Sequence, residues 1–211
     1  MFSVVQISKT LRKYGFDKVI DLQNNRLSHL LSFLSFPKLS YGYRNGKFGF
    51  LLTHAIEDDL KDITPVEHQF RILKLLGIEY HDDVKLDLWP SVKDEQHISE
   101  LLDSEWMGSY KDMVGLNVAA SAKWSTKNWP VEHIARLCDL LAAKNIRVVL
   151  TGQNKDLAKA RQILSKTKSK PVNLVGKTDI LQLAALMKRL KVYISPDSAP
   201  LHIAAAMKTP V

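Results

Sequence analysis

The sequence predicts an α/β fold built on parallel sheets covered on both faces. Short runs rich in Val, Ile and Leu alternate with segments of helical period along most of the chain. The runs are near-continuously apolar, as strands buried on both sides are, rather than strictly alternating. Polar or proline-bearing turns sit where one kind of segment hands over to the other, as at Asn128-Trp129-Pro130 and Ser195-Pro196-Asp197. Strands are expected over 18–22, 38–41, 113–117, 147–151, 172–175 and 192–195. Helices are expected over 27–34, 65–75, 131–143, 155–164 and 181–188, with a further helix opening after Ser198.

Between Trp89 and Met113 the pattern turns charged and irregular, with Pro90, Asp94, Glu95, Asp103 and Glu105 around a short amphipathic piece. A domain junction is therefore expected near residue 108, giving a first domain over 1–108 and a cleaner α/β domain over 109–211. There is no repeat of solenoid period and no low-complexity tract. Only about one helix precedes the strand at 18–22, and the chain stops at Val211 where another apolar run is expected. Both domains read as incomplete, as if taken from the middle of a longer protein.

At 211 residues and 45% hydrophobic, the chain has room for one large or two small domains. It contains no stretch approaching the roughly 20 apolar residues of a membrane span and no leader pattern at its start, so a cytoplasmic location is expected. The lone cysteine, Cys138, falls among Ile134, Leu137 and Leu141 at helical spacing and reads as a buried thiol. One cysteine excludes an internal disulfide, and the His and acidic residues show no ligand spacing, so neither a metal nor another cofactor is expected.

The formal charge of +8 points to an anionic partner: nucleic acid, a phospholipid surface or a phosphorylated substrate. The cluster Lys155, Lys159, Arg161, Lys166, Lys168 and Lys170 fits the solvated face of a helix and its exit loop. No aromatic-interleaved basic stripe and no zinc-finger spacing is present, which makes nucleic acid the weaker partner.

The segment 191–211 has an anion-binding layout. Val192, Tyr193 and Ile194 form a short strand, Ser195, Pro196 and Asp197 break it, Ser198 is placed to cap a helix, and Ala199 and Pro200 open that helix. Free N–H groups at Ala199, Leu201 and His202 would face a ligand beyond the strand end, helped by the helix dipole. Any strand-to-helix connection shares this layout, so a second such loop matters. It lies at 115–130, GLNVAASAKWSTKNWP, after one strand and before a helix opened by Pro130. Ala119, Ala120, Ser121 and Ala122 permit close backbone approach, and Lys123 and Lys127 offer ammonium groups to a diphosphate. Lys127 taken singly also reads as a solvated lysine. Trp129 is expected to pack the helix onto the sheet.

The order of small-residue loop, KNWP, a strand ending TGQN, NLVGKTDILQLAALM and SPDSAPLHIAAAMKTP resembles glycosyltransferase family 9, the ADP-heptose:lipopolysaccharide heptosyltransferases. VIDLQNNRLSHLL and the YGYR at Tyr41 to Arg44 extend the resemblance over nearly the whole chain. It implies a GT-B fold of two Rossmann-like parallel-sheet domains, acceptor side first and nucleotide-sugar side second. It also implies inverting transfer of heptose from an ADP-activated donor to an anionic glycolipid, the lipopolysaccharide inner core, with peripheral contact at the inner face of the cytoplasmic membrane.

By the same resemblance, Lys127 contacts the donor diphosphate, Asp197 is the acidic residue of the donor site, and Ser198, Ala199 and His202 surround the phosphates. The family usually has glycine where this chain has Ala199, a difference that matters if the position needs positive φ. Ser121 is placed to bond a phosphate oxygen, Gln153 and Asn154 to reach the ribose and Thr178 to sit beside adenine; loop capping by Ser121 and Asn154 and helix capping by Thr178 account for these residue types equally well. Sugar transfer develops negative charge on the leaving diphosphate, which Lys127 and the helix terminus are suited to stabilise. It also needs a general base for the acceptor hydroxyl. The family's aspartate lies in its first strand-to-helix loop, and FSVVQISKT has no matching glycine-aspartate turn, so the base is unassigned. Asp21, His29 and Arg44 are candidates for the acceptor side, Asp21 being equally readable as structural. The alternative is a non-catalytic nucleotide-sugar-binding remnant that keeps the donor loops and lacks the base.

Overall fold

The computed structural model describes residues 4–59, 62–81, 86–105, 112–120 and 126–211. The chain forms two compact units, 1–84 and 85–211.

In the first unit the elements run α1 (Val4–Lys13), β1 (Lys18–Ile20), α2 (Arg26–Leu34), β2 (Leu39–Arg44), a 3-10 turn at Gly49–Leu51, β3 (His54–Glu57) and α3 (Pro65–Lys74). The sheet has the order β1-β2-β3 and is parallel throughout, with Lys18 opposite Leu39 and Tyr41 opposite His54. Helix starts follow local chemistry. The Asn25 side chain accepts from the N–H groups of Leu27 and Ser28, and Thr64 accepts from Glu67 N–H just ahead of Pro65. The apolar core is Tyr41, Tyr43 and Ile72, backed by Leu39, Ile56 and Leu76. Strand β3 was not expected: HAIE has only two apolar residues and no run to mark it, and it is set by pairing with β2.

The second unit runs α4 (Val92–Glu105), β4 (Asp112–Asn117), α5 (Val131–Ala142), β5 (Ile146–Thr151), a 3-10 turn at Asn154–Asp156, α6 (Leu157–Lys166), β6 (Val172–Asn173), α7 (Ile180–Met187), β7 (Val192–Ile194) and α8 (Ala199–Ala206). Its parallel sheet has the order β6-β5-β4-β7. Neighbouring residues of β5 enter opposite cores: Val149 joins Leu174, Leu186, Met187 and Tyr193, whereas Val148 and Leu150 join Ile134, Cys138 and Ile163. Both faces are thus buried, which is why the strands read as continuous apolar runs. Cys138 is fully enclosed, and burial together with the Asp139 charge pushes its thiol up to about 12.

The units divide ahead of α4, not at the expected junction near residue 108. Of the charged stretch that resembled a linker, Asp94, Glu95 and Asp103 lie within helix α4, and residues 106–111 lie outside the described residues. One face of α4 places Ile98 and Leu102 in the second unit's core. Glu95 pairs with Lys188 at 2.6 Å, and Arg189 donates to Ser99 Oγ at 2.6 Å. Gly115, in mid-β4, is required by close packing: a Cβ there would lie 2.5 Å from Leu190 Cδ1 and from Tyr193 Cδ2.

Candidate functional site

The carboxyl ends of β4, β5 and β7 open on a cavity of about 450 Å³, lined among others by Gln153, Thr178, Asp197, Ser198 and Ala199. These five were expected from the sequence to share a site, and the fold brings them to one wall system. Ile180, Leu183 and Ile203 supply apolar surface, and Asp156 and Asp179 line the same cavity. Tyr193, fully buried, and Thr151 meet beneath it through a 2.7 Å hydroxyl contact, and burial pushes the Tyr193 phenol up to about 12.

The β7–α8 turn differs from the expected capped helix. Ser198 has N-cap backbone angles of φ −161° and ψ 165°, but its hydroxyl makes no bond to the helix. It donates instead to Pro196 O at 3.0 Å and accepts from Asn117 Nδ2 at 3.1 Å. The Leu201 N–H, expected to be free, bonds Ser198 O at 3.0 Å. Ala199 begins α8 and is not among the residues of positive φ, so glycine's freedom is not needed there. His202 is exposed and lines neither this cavity nor the next.

Lys127 lies on a neighbouring cavity of about 420 Å³ with Trp129, Ser195 and Pro196, and Asn117 borders both. The ammonium of Lys127 bonds the Asp197 carboxylate, which joins the two loops that were expected to hold a diphosphate. That contact, with a smaller contribution from His202, holds the Asp197 carboxyl below the usual carboxylate range. The base of the Lys127 loop is pinned by Asn128, whose Oδ1 accepts from Ala120 N–H at 2.9 Å and from Lys159 Nζ at 3.3 Å. Half-buried Lys159 has its ammonium pKa lowered by desolvation. Ser121 and Lys123 lie outside the described residues.

Three local expectations are corrected. Trp129 does not pack α5 onto the sheet: it is 41% exposed, meets His133 edge-on at 6.3 Å, and leaves the packing to Ile134, Ala135 and Cys138. Pro130 precedes α5 instead of occupying its first position. Asn154 does not line the cavity; its side chain lies where a Cβ on Gly176 would fall, against a turn with φ +75°. Thr178 does not cap α7 either. Asp179 does, accepting from Gln182 N–H at 2.9 Å, and Thr178 is left facing the cavity.

In the first unit Asp21 follows β1 and accepts from the N–H groups of Gln23 and Asn24 at 3.0 and 3.1 Å. Its other oxygen is 3.6 Å from His29 Nε2, and both atoms are buried without a hydrogen bond. His29 Nδ1 lies 2.7 Å from Lys47 O, a carbonyl that can only accept. Asp21 and His29 thus brace a turn, while Arg44 is exposed near Glu57. Nothing in the sequence pattern signalled a second cluster, in which His68 stacks on Tyr43 at 4.2 Å, accepts the Tyr43 hydroxyl at its carbonyl, and meets Asp58 at 2.8 Å. No group of three or more His, Cys, Asp or Glu among the described residues is placed to hold a metal.

Two parallel-sheet α/β units, with a cavity at the carboxyl edge of the second sheet, define a GT-B type of architecture. A glycosyltransferase of family 9 from Veillonella parvula has the same fold, with a TM-score of 0.84 and 21% identity over 97% of this chain and 59% of its own. The chain matches the model of glycosyltransferase family 9 (heptosyltransferase) over residues 4–211, and it belongs to that family. It is 31% identical to lipopolysaccharide heptosyltransferase 3 of Escherichia coli K12 over 99% of this chain and 61% of that protein. It also resembles the E. coli heptosyltransferase WaaC solved with ADP, with a TM-score of 0.66 and 22% identity over 96% of this chain and 62% of the other. The chain thus spans about three fifths of the length of these relatives.

Proposed function

We propose that this chain carries the donor half, and part of the acceptor half, of a heptosyltransferase of lipopolysaccharide core assembly. The observation that carries the proposal is the meeting of Lys127 and Asp197 beside a cavity lined by Ser198 and Ala199, within a chain of family 9. The second unit takes an ADP-activated heptose. The purine lies against Ile180, Leu183 and Ile203 beside Thr178, and Gln153 is within the same wall for the ribose. The diphosphate lies toward Ser198, Ala199 and Lys127.

The reaction is a displacement at the anomeric carbon. An acceptor hydroxyl oxygen forms the new bond, the bond to the β-phosphate oxygen breaks, the configuration inverts, and the acceptor proton passes to a general base that none of the residues named above supplies. Charge grows on the departing ADP. Lys127 stabilises it there more than in the intact donor, and so lowers the barrier. The Lys127–Asp197 pair holds the ammonium at the turn before donor arrives, and the phosphate then shares it. The acceptor is an anionic glycolipid of the inner core, bound on the side of the first unit. The work is placed at the cytoplasmic face of the inner membrane by peripheral contact, in keeping with the +8 charge. No described helix is long and apolar enough to cross a membrane. No role for nucleic acid is proposed.

The test is calorimetric titration with ADP and UDP, followed by incubation with ADP-heptose and a heptose-deficient lipopolysaccharide read by mass spectrometry. Selective ADP binding is expected, and a mass gain of one heptose would show that the chain also supplies the base. ADP binding without transfer would leave a nucleotide-sugar-binding remnant, and no ADP binding by the folded chain would overturn the proposal.

A further inference from the structure

Two aromatic rings of the first unit, Phe48 at 40% and Phe50 at 76% exposed, flank Gly49 in the turn that follows β2. The backbone imposes this display. Gly49 is buried, and a Cβ there would lie 2.8 Å from Arg44 Cα and 2.9 Å from Tyr43 O, so the chain folds back onto β2 at this residue and leaves its two neighbours outside. Phe48 holds φ 70° and ψ 20°, the left-handed region, which is an outlier for so bulky a side chain. Such a conformation persists where surrounding contacts enforce it. Here they lie on both sides. Fully buried His29 donates from Nδ1 to Lys47 O at 2.7 Å, and Asn45 accepts from Lys47 N–H at 3.1 Å while donating to Asn24 O at 3.0 Å. The N–H groups of Leu51 and Leu52 close the turn on Phe48 O and Gly49 O at 3.0 and 3.2 Å. The rings meet edge to face with centroids 6.0 Å apart. Two exposed cations, Arg44 and Lys47, belong to the same turn. Glu57 lies 3.8 Å from Arg44, but both side chains are exposed and the pair offsets little of that charge.

We propose that the turn 45–51 is a docking tip for an anionic phospholipid surface: Phe48 and Phe50 enter the interfacial layer, and Lys47 and Arg44 meet lipid phosphates. This deepens the peripheral membrane contact proposed above and rests on it. Clustered exposed rings mark a surface that meets a partner, and rings beside lysine and arginine suit the boundary between headgroups and acyl chains, where each has its preferred surroundings. A tip held rigid by His29, Asn45 and Gly49 loses little conformational entropy on docking. It also lies at the carboxyl edge of the first sheet, the edge at which parallel α/β sheets bind ligands, so a glycolipid could reach the unit without leaving the bilayer surface.

The experiment is co-sedimentation of the full chain with vesicles of phosphatidylethanolamine and phosphatidylglycerol, and with vesicles of phosphatidylcholine alone, alongside an ADP titration. It compares wild type, Phe48→Gly with Phe50→Ser, and Lys47→Gln, each checked for folding by circular dichroism. Glycine suits the left-handed position, so the turn is kept when the rings are removed. Wild type is expected to prefer the anionic vesicles. The ring variant is expected to bind them at least about 10-fold more weakly and Lys47→Gln about fivefold more weakly, with ADP affinity unchanged in both. If the ring variant does not fold, Phe50→Ser alone replaces it, with an expected loss of about threefold or more.

Anionic vesicles bound equally well without the rings would mean docking through another surface, which overturns the tip and leaves the peripheral contact standing. Wild type that stays in solution with every vesicle overturns both. Wild type that dimerises without vesicles, while the ring variant stays monomeric, would make the rings a contact between copies and overturn the tip. The donor half is judged separately, by the ADP titration.

Discussion

The second unit buries apolar atoms on both sides of its sheet, with Leu150, Ile163 and Cys138 under one face and Leu174, Leu186 and Met187 under the other. The first unit keeps a smaller apolar core around Tyr41, Tyr43 and Ile72 and buries Asp21, His29, Ser32 and Ser40 among its polar residues. Apolar packing in the second unit frees the strand ends to carry chemistry. In the first, polar side chains at the same carboxyl edge are engaged in holding turns, as Asp21 does for Gln23 and Asn24. The same residue types at equivalent places in two parallel sheets therefore mean different things.

Substitutions can break this contrast. The largest effect is expected at Leu186, fully buried in the second core: Leu186→Ala should cost about 2–5 kcal/mol, read by urea unfolding. In the first unit His29→Ala removes the donor to Lys47 O and leaves a buried Asp21 oxygen facing a void, for a loss on the order of 3 kcal/mol in the same assay. A loss as small as that of a surface change would show that the polar interior of the first unit carries little of its stability. At the cavity, Lys127→Ala should weaken ADP by about 1.5–3 kcal/mol without lowering the melting temperature. Unchanged ADP affinity in the folded variant would take Lys127 out of the site.

The smallest effect concerns acid. Asp139 accepts from the Ser169 hydroxyl at 2.6 Å and from the N–H groups of Ser169 and Lys168 at 2.7 and 3.0 Å, which hold its carboxyl below the usual range. Its unfolded value is about 3.9. The ionised form is favoured in the fold, so its contribution is complete above that pH and is lost as pH falls through the lower folded value. The stability gap between wild type and Asp139→Asn should narrow on going from about pH 6 to about pH 3. A constant gap would mean that the carboxylate contributes through shape alone.

Much of the fold was legible because buried parallel strands leave continuous apolar runs, so β4, β5 and β7 fell within a residue or two of expectation. What was hidden depends on partners far along the chain. Strand β3 has no pattern of its own and follows β2, and α4 shows solvent a charged face that resembles a linker until α7 is in place. In the site, the two loops were visible from Pro130 and Pro200, and Asp197, Ser198, Ala199, Gln153 and Thr178 do share a cavity. Asn117 was invisible because an asparagine at a strand end has no local signature; its meaning comes from residues 78 and 81 positions away. The Asp58–His68 pair was hidden for a related reason, since its order depends on the ring of Tyr43 from another strand.

The enclosure of Cys138 gives the chain an experimental property. A single thiol, sealed inside the second core and pushed up to about 12, stays silent toward maleimide reagents at neutral pH. A cysteine introduced at exposed Thr126, beside Lys127, becomes the sole labelled atom without removal of the native thiol. A dye there gives the ADP titration proposed above a second readout, a change in emission that can be followed in real time.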